Sequence, residues 1–235
     1  MQASSEEAID ACRVRRAIRV ALAAVGMLWA IYFAGELFDL DLARFGIYPR
    51  RAIGIPGIAL APLIHGSFAH LLANSAPIAV LGTSLLYGYP RSAGLVIKVL
   101  YAGTGLGVWL FARDGSHVGA SGLAFGMMFF VFTIGAIRWD RRAIALSMLA
   151  FFLYGGMVWG IFPTDPEVSF ESHFFGALLG VVLAVLLRNR DPAPPQPRYV
   201  WEEGDEGRDE TGAGAQPGEP DDESAQGRPG PPALH

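Results

Sequence analysis

Cysteine is nearly missing from this sequence. Cys12 stands alone among 235 residues, so neither a disulfide framework nor a CxxC metal clip organises the chain. There is no HExxH and no second carboxylate at ligand spacing from a histidine, which removes the usual signatures of a metalloprotease. No metal or other cofactor is expected. Internal repeats of 20 to 50 residues, the mark of a solenoid, are also lacking. Charge is scarce, since Asp, Glu, Lys and Arg together make up 17% of the chain. That is too little for an ordinary soluble domain, and no nucleic-acid partner is expected.

What fills the chain instead is apolar. Hydrophobic residues make up 52% and the mean hydropathy is +0.35, which points to an all-α, polytopic membrane protein. The apolarity is unevenly placed. From Asp191 onward, 45 residues hold 9 of the 16 prolines and 11 of the 22 acidic residues against three arginines, Arg198, Arg208 and Arg228. Such a segment buries too little apolar surface to offset its ordering entropy, so residues 191–235 read as a disordered acidic tail. Before it, a span-sized run of roughly 20 apolar residues occurs six times, at 17–36, 68–88, 93–112, 121–137, 143–160 and 171–187. The organisation is thus a segment 1–16, a six-span core 17–190 and the tail.

The first run follows "RVRRAIR" but is long and lacks a small-x-small cleavage site, so it reads as a retained span rather than a signal peptide. With the N-terminus in the cytoplasm, ten arginines fall on the cytoplasmic side and four on the outer side, Arg44, Arg50, Arg51 and Arg113. The positive-inside rule favours that orientation, with both termini cytoplasmic. The expected setting is a bacterial-type plasma membrane with the lipid bilayer as solvent.

Spans two, four and six then start at the outer side, and those starts carry the unusual polar residues. Span two opens with "HGSFAHLLANS", bearing His65, His70 and Asn74; span four opens at Ser121 and span six at His173. Polar groups inside a membrane are costly and mark candidate sites. Gly122 and Gly126 form one GxxxG stripe and Gly176 and Gly180 another. Small residues four apart let helix backbones approach closely in lipid. Stripe against stripe, the two helices bring Ser121 and His173 to one depth. A serine hydroxyl needs a base to become a nucleophile, and an imidazole at hydrogen-bond distance supplies one. The oxyanion formed on attack needs preorganised donors. The free first-turn amides of span four and the face shared by His70 and Asn74 are the two sources.

Each element has an ordinary explanation when taken alone. A serine at a helix start is most often an N-cap, membrane glycines most often serve packing, and His65 and His70 could ligate a metal or haem. His117 reads as a plain loop residue. The conjunction of all three motifs at one end of three co-directional helices outweighs those readings.

With "HGSFAHLLAN", "GASGLAFG" (Gly119 to Gly126) and "HFFGALLG" in this order, the core resembles the rhomboid family of intramembrane serine proteases. The resemblance implies Ser121 as nucleophile, His173 as general base, and an oxyanion site drawn from Asn74, His70 and the Ser121 amide. His65 and Phe125 belong to the same motifs. It further implies hydrolysis of transmembrane protein substrates near their outer ends by a dyad without an acidic third member; a catalytically silent relative that binds membrane clients is the alternative. Three departures stand out: Phe125 where many members carry tyrosine, Ser172 in place of a common alanine, and no Trp-Arg pair between Leu37 and Ile64.

Overall fold

The computed structural model describes residues 2–166 and 168–191. Among these, the chain is almost wholly helical, and its extended pairing is one isolated antiparallel bridge between Ile47 and His117. Helix α1 runs Gln2–Leu37, the four-residue α2 Gly57–Leu60, α3 Phe68–Gly88, α4 Ala93–Phe111, α5 Ser121–Arg138, α6 Arg141–Tyr154 and α7 Phe170–Leu187. Among the described residues, six helices are long and apolar enough to cross a membrane. The protein is an integral membrane protein of the expected all-α class.

Local chemistry sets several of the helix ends. Ser67 caps α3 by accepting the His70 N–H at 3.1 Å, and Asp140 caps α6 by accepting the Ala143 N–H at 3.0 Å. Trp139 takes the left-handed conformation (φ 56°) that closes α5. Four of the expected spans match within one or two residues at each end. The exceptions are the first and the fifth. α1 begins at Gln2, because hydropathy marks the part of a helix that sits in lipid and not the helix itself. The α-helical part of the fifth stops at Tyr154, where Gly155 and Gly156 weaken the helix, and tightens into a 3₁₀ turn over Gly155–Ile161.

α5 sits at the centre, with 56% of its apolar window buried inside the protein against 17% for α1 and 11% for α6. Leu71, Leu81 and Leu85 of α3, Val96 and Leu100 of α4, and Phe130, Val131 and Ile134 of α5 form a core with no exposed surface. The outer helices present large apolar side chains such as Phe152 and Leu186 outward, as a lipid-facing surface requires.

Residues 192–235, most of the expected disordered tail, lie outside the described residues, and Asp191 just before them is buried. Its carboxylate accepts the Arg91 N–H at 2.7 Å, the Ser92 N–H at 3.1 Å and the Ser92 hydroxyl at 2.6 Å, and its carbonyl accepts Arg138 Nη1. At the start of α4 the buried carboxylate satisfies the Arg91 amide, shares the Ser92 amide with the Tyr89 carbonyl, and meets the positive end of the helix dipole. Composition averaged over 45 residues hides one residue that belongs to the core.

Candidate active site

α5 and α7 approach closely because glycines face backbone. A Cβ placed on Gly176 would fall on the Gly122 carbonyl, and one on Gly180 on the Gly126 carbonyl. The two stripes interlock as the spacing predicts. Ser121 begins α5 and His173 lies in the first turn of α7, so the close approach sets them side by side, with His173 Nε2 2.8 Å from Ser121 Oγ. His173 Nδ1 lies 2.9 Å from the Gly160 carbonyl. A carbonyl only accepts, so Nδ1 carries the proton and Nε2 is left to accept from the serine hydroxyl. Phe125, one turn below Ser121, stacks on the imidazole with centroids 4.0 Å apart and planes 5° from parallel. The ring that departs from the common tyrosine keeps this stacking contact.

Gly160 was not singled out by sequence. A Cβ there would stand 2.8 Å from Phe125 Cζ and 3.1 Å from His173 Nδ1, so a side chain would push apart the stack that orients His173. In the sequence Gly160 is marked only as a third glycine near the end of the fifth span, after Gly155 and Gly156.

On the other side of Ser121, α3 contributes His70 and Asn74. Gly119 adopts φ +112°, a conformation that suits glycine, and a Cβ there would lie 2.6 Å from His70 Cε1 and 2.7 Å from Nε2. His70 therefore lies against the loop that leads into Ser121. Asn74 is buried and donates one amide proton to the His70 carbonyl at 2.9 Å, leaving a second proton on the same nitrogen. The Gly119 N–H is held by the Ala61 carbonyl at 2.9 Å, whereas the first-turn amides of α5 have no acceptor one turn earlier. His65 packs edge-on against His70 with centroids 5.1 Å apart, and neither of its ring nitrogens has a hydrogen-bond partner. Burial, helped by His70, lowers its pKa to about 4, so it is neutral near pH 7. Among the described residues, no three His, Cys, Asp or Glu side chains converge as a metal-binding group would.

A family model for the rhomboid domain matches residues 55–190, which contain every residue of this constellation. The chain belongs to the rhomboid family. An uncharacterized protein of Mycobacterium tuberculosis is 35% identical over 173 residues, covering 69% of this chain and 72% of the relative. An uncharacterized protein of Mycobacterium leprae is 32% identical over 176 residues, covering 69% and 68%. RHOMBOID-like protein 7 of Arabidopsis thaliana is 28% identical over 146 residues, covering 60% and 43%. Membership in the rhomboid family places the chain, at family level, among intramembrane-protease-like proteins.

Two features of this rhomboid were illegible in its sequence. His117 is not a plain loop residue: it is buried, its Nδ1 lies 2.7 Å from Ser169 Oγ and its Nε2 3.0 Å from the Arg113 carbonyl. Within the first loop, 38–63, no Trp-Arg pair stands, but arginine and tryptophan meet across the fold. The Arg50 N–H donates to the Trp109 carbonyl at 2.8 Å, and Trp109 Nε1 donates to the Arg51 carbonyl at 3.0 Å. Arg50 also reaches the Ala112 carbonyl at 2.6 Å and Asp114 at 2.9 Å. The loop is thereby tied to the end of α4.

Proposed function

We propose that the protein is an intramembrane serine endopeptidase that hydrolyses transmembrane protein substrates near the outer membrane face with a Ser121–His173 dyad. The observation that carries this is the 2.8 Å contact between Ser121 Oγ and His173 Nε2, with Nδ1 anchored on Gly160. His173 Nε2 takes the hydroxyl proton as Ser121 Oγ attacks the scissile carbonyl, then returns that proton to the leaving amine. This leaves an acyl-enzyme. Water, deprotonated by the same nitrogen, attacks the ester and frees Ser121. The negative charge formed in both steps is met by the Ser121 amide at the positive end of α5, by the free amide proton of Asn74 and by His70. His65, Phe125 and the glycines 119, 122, 126, 176 and 180 support that geometry.

The excess of arginines at the opposite end of the bundle supports a site at the outer face, with the termini cytoplasmic in a bacterial-type plasma membrane. The catalytic unit is the core 17–190 completed by Asp191, followed by the acidic tail. Labelling with a serine-reactive fluorophosphonate, together with cleavage of a model transmembrane substrate, tests the reading. Wild type is expected to label and cleave, whereas Ser121→Ala and His173→Ala do neither while remaining folded. Cleavage by Ser121→Ala would remove the nucleophile assignment. A folded wild type that neither labels nor cleaves would instead point to a silent binder of membrane clients.

A further inference from the structure

A Ser-His dyad needs its two helix starts held at one height as well as close together. The glycine stripes govern how near α5 and α7 come. A separate set of contacts ties the loop before α5 to the turn before α7. Glu171, buried and two residues before His173, accepts the Arg113 N–H at 3.1 Å, and its same oxygen lies 3.6 Å from Arg113 Nε. Arg113 Nη2 donates to the Pro166 carbonyl at 2.9 Å and to the Val168 carbonyl at 2.6 Å, and the guanidinium lies over the Phe170 ring, 5.4 Å from its centroid.

Four residues after Arg113 and two before Glu171, a second tie runs from His117 to Ser169. His117 Nε2 faces the Arg113 carbonyl, so it carries the proton, and Nδ1 accepts the Ser169 hydroxyl. The same Ser169 oxygen accepts the Ser172 N–H at 3.4 Å and caps α7. His117 also exchanges backbone hydrogen bonds of 2.9 and 3.0 Å with Ile47, anchoring its end of the tie to the first loop.

We infer that Arg113, His117, Ser169 and Glu171 form a brace that sets the height of His173 relative to Ser121, and that they are positioning residues for the dyad. The inference rests on the proposed Ser121–His173 reading. Every tie lies within eight residues of a member of the dyad, and both ties join the segment leading to Ser121 with the segment leading to His173. As a device for stability alone, the arrangement is poor. A 3.6 Å ion pair whose arginine is exposed contributes little, and Glu171 Oε2 is buried with no hydrogen-bond partner. What the ties supply is geometry. They act on the backbone that carries the histidine, whereas the Gly160 carbonyl meets Nδ1, the atom that an acidic residue orients in other serine hydrolases.

The test uses the full-length protein in detergent and three readouts: the rate of fluorophosphonate labelling, the final labelled fraction, and kcat and KM for a transmembrane substrate. For His117→Ala and Glu171→Ala, the labelling rate and kcat are expected to fall by about 10-fold, with a further fall toward 10²-fold where the displacement nears 1 Å. The labelled fraction, KM and unfolding temperature stay within about 2-fold or a few degrees of wild type. Glu171→Gln, which keeps an acceptor for the Arg113 N–H, recovers most of the rate. The double variant His117→Ala/Glu171→Ala loses less than the product of the single losses, because both ties restrain one displacement. Wild-type rates in both single variants overturn the brace. So does a loss that follows the labelled fraction and the unfolding temperature, since that is the signature of a structural role. If wild type does not label, or Ser121→Ala does, the dyad itself fails and the brace falls with it, a result distinct from intact labelling at unchanged rates.

Discussion

Adding one methyl group at Gly176 tests whether helix contact sets the chemistry. A Cβ there would stand 2.9 Å from the Gly122 carbonyl carbon and 3.3 Å from its Cα, with the carbonyl oxygen nearer still. Carbon atoms settle at about 3.5–4.0 Å, so α5 and α7 must part by roughly 1 Å. Both faces are backbone, and no rotamer change relieves the clash. Overpacking of this kind costs about 1–3 kcal/mol, a loss that a folded protein survives. The dyad does not survive it as well. Moving Ser121 Oγ and His173 Nε2 from 2.8 Å to nearly 4 Å takes them past hydrogen-bond range, and a displacement of about 1 Å at reacting groups costs about 10²-fold in rate. Gly176→Ala is therefore expected to label and cleave about 10²-fold more slowly while unfolding only a few degrees lower. Gly94→Ala, where a Cβ meets nothing within 4 Å, serves as control and is expected to behave as wild type. Wild-type kcat in folded Gly176→Ala would show that the glycine contact does not set the dyad distance.

Asn74→Ala is expected to lower kcat by up to about 10²-fold with little change in KM or heat stability; a loss explained wholly by unfolding would make Asn74 a packing residue. Asp191→Ala, which strands the Arg91 N–H and the Ser92 hydroxyl, is expected to cost about 1–3 kcal/mol in thermal unfolding, whereas deleting 192–235 leaves stability and catalysis in detergent unchanged. Equal effects from the two changes would refute this division. His65, with its pKa lowered to about 4, contributes stability that is fully present above about pH 6.5 and declines as the pH falls from there to about 4. His65→Phe is expected to flatten that part of the stability-pH profile, and an unchanged slope would refute the assignment.

Apolar runs marked the helical core, and charge-derived orientation, glycine spacing and the family resemblance together pointed to Ser121, His173, His70 and Asn74, because these signals are written in short-range patterns. Membrane burial demands long apolar runs, and close helix approach demands small residues at i and i+4. What was illegible depends on partners distant in sequence. His117 and Ser169 are 52 residues apart, Arg113 and Glu171 58, and Ser92 and Asp191 99. Nothing local distinguishes Arg113 from an outer-loop arginine or Asp191 from the acidic residues that follow it. The same holds for the N-terminal extension of α1, where Asp10 accepts the Tyr87 hydroxyl at 2.8 Å and lies 3.7 Å from Arg142. Residues 2–16 carry no apolar run, yet the helix continues.

The base in this site is oriented by a carbonyl rather than by a carboxylate, and the choice follows from its surroundings. A buried carboxylate beside His173 would need its own hydrogen-bond partners to offset desolvation in a low-dielectric interior. The Gly160 carbonyl fixes the same tautomer without that cost, and Phe125 holds the ring plane from one face. The substitute has a consequence for access. Gly160 lies in the 3₁₀ turn after α6, the least buried of the spanning helices. Any outward movement of that segment, which would open a path between α6 and its neighbours for a substrate, also withdraws the acceptor from Nδ1. Entry and an oriented base are therefore opposed, so closure after substrate entry would restore the catalytic tautomer. If Ser121 and His173 act as the proposed dyad, proton abstraction is expected only while the Gly160 carbonyl meets Nδ1, the arrangement in which the two side chains are 2.8 Å apart.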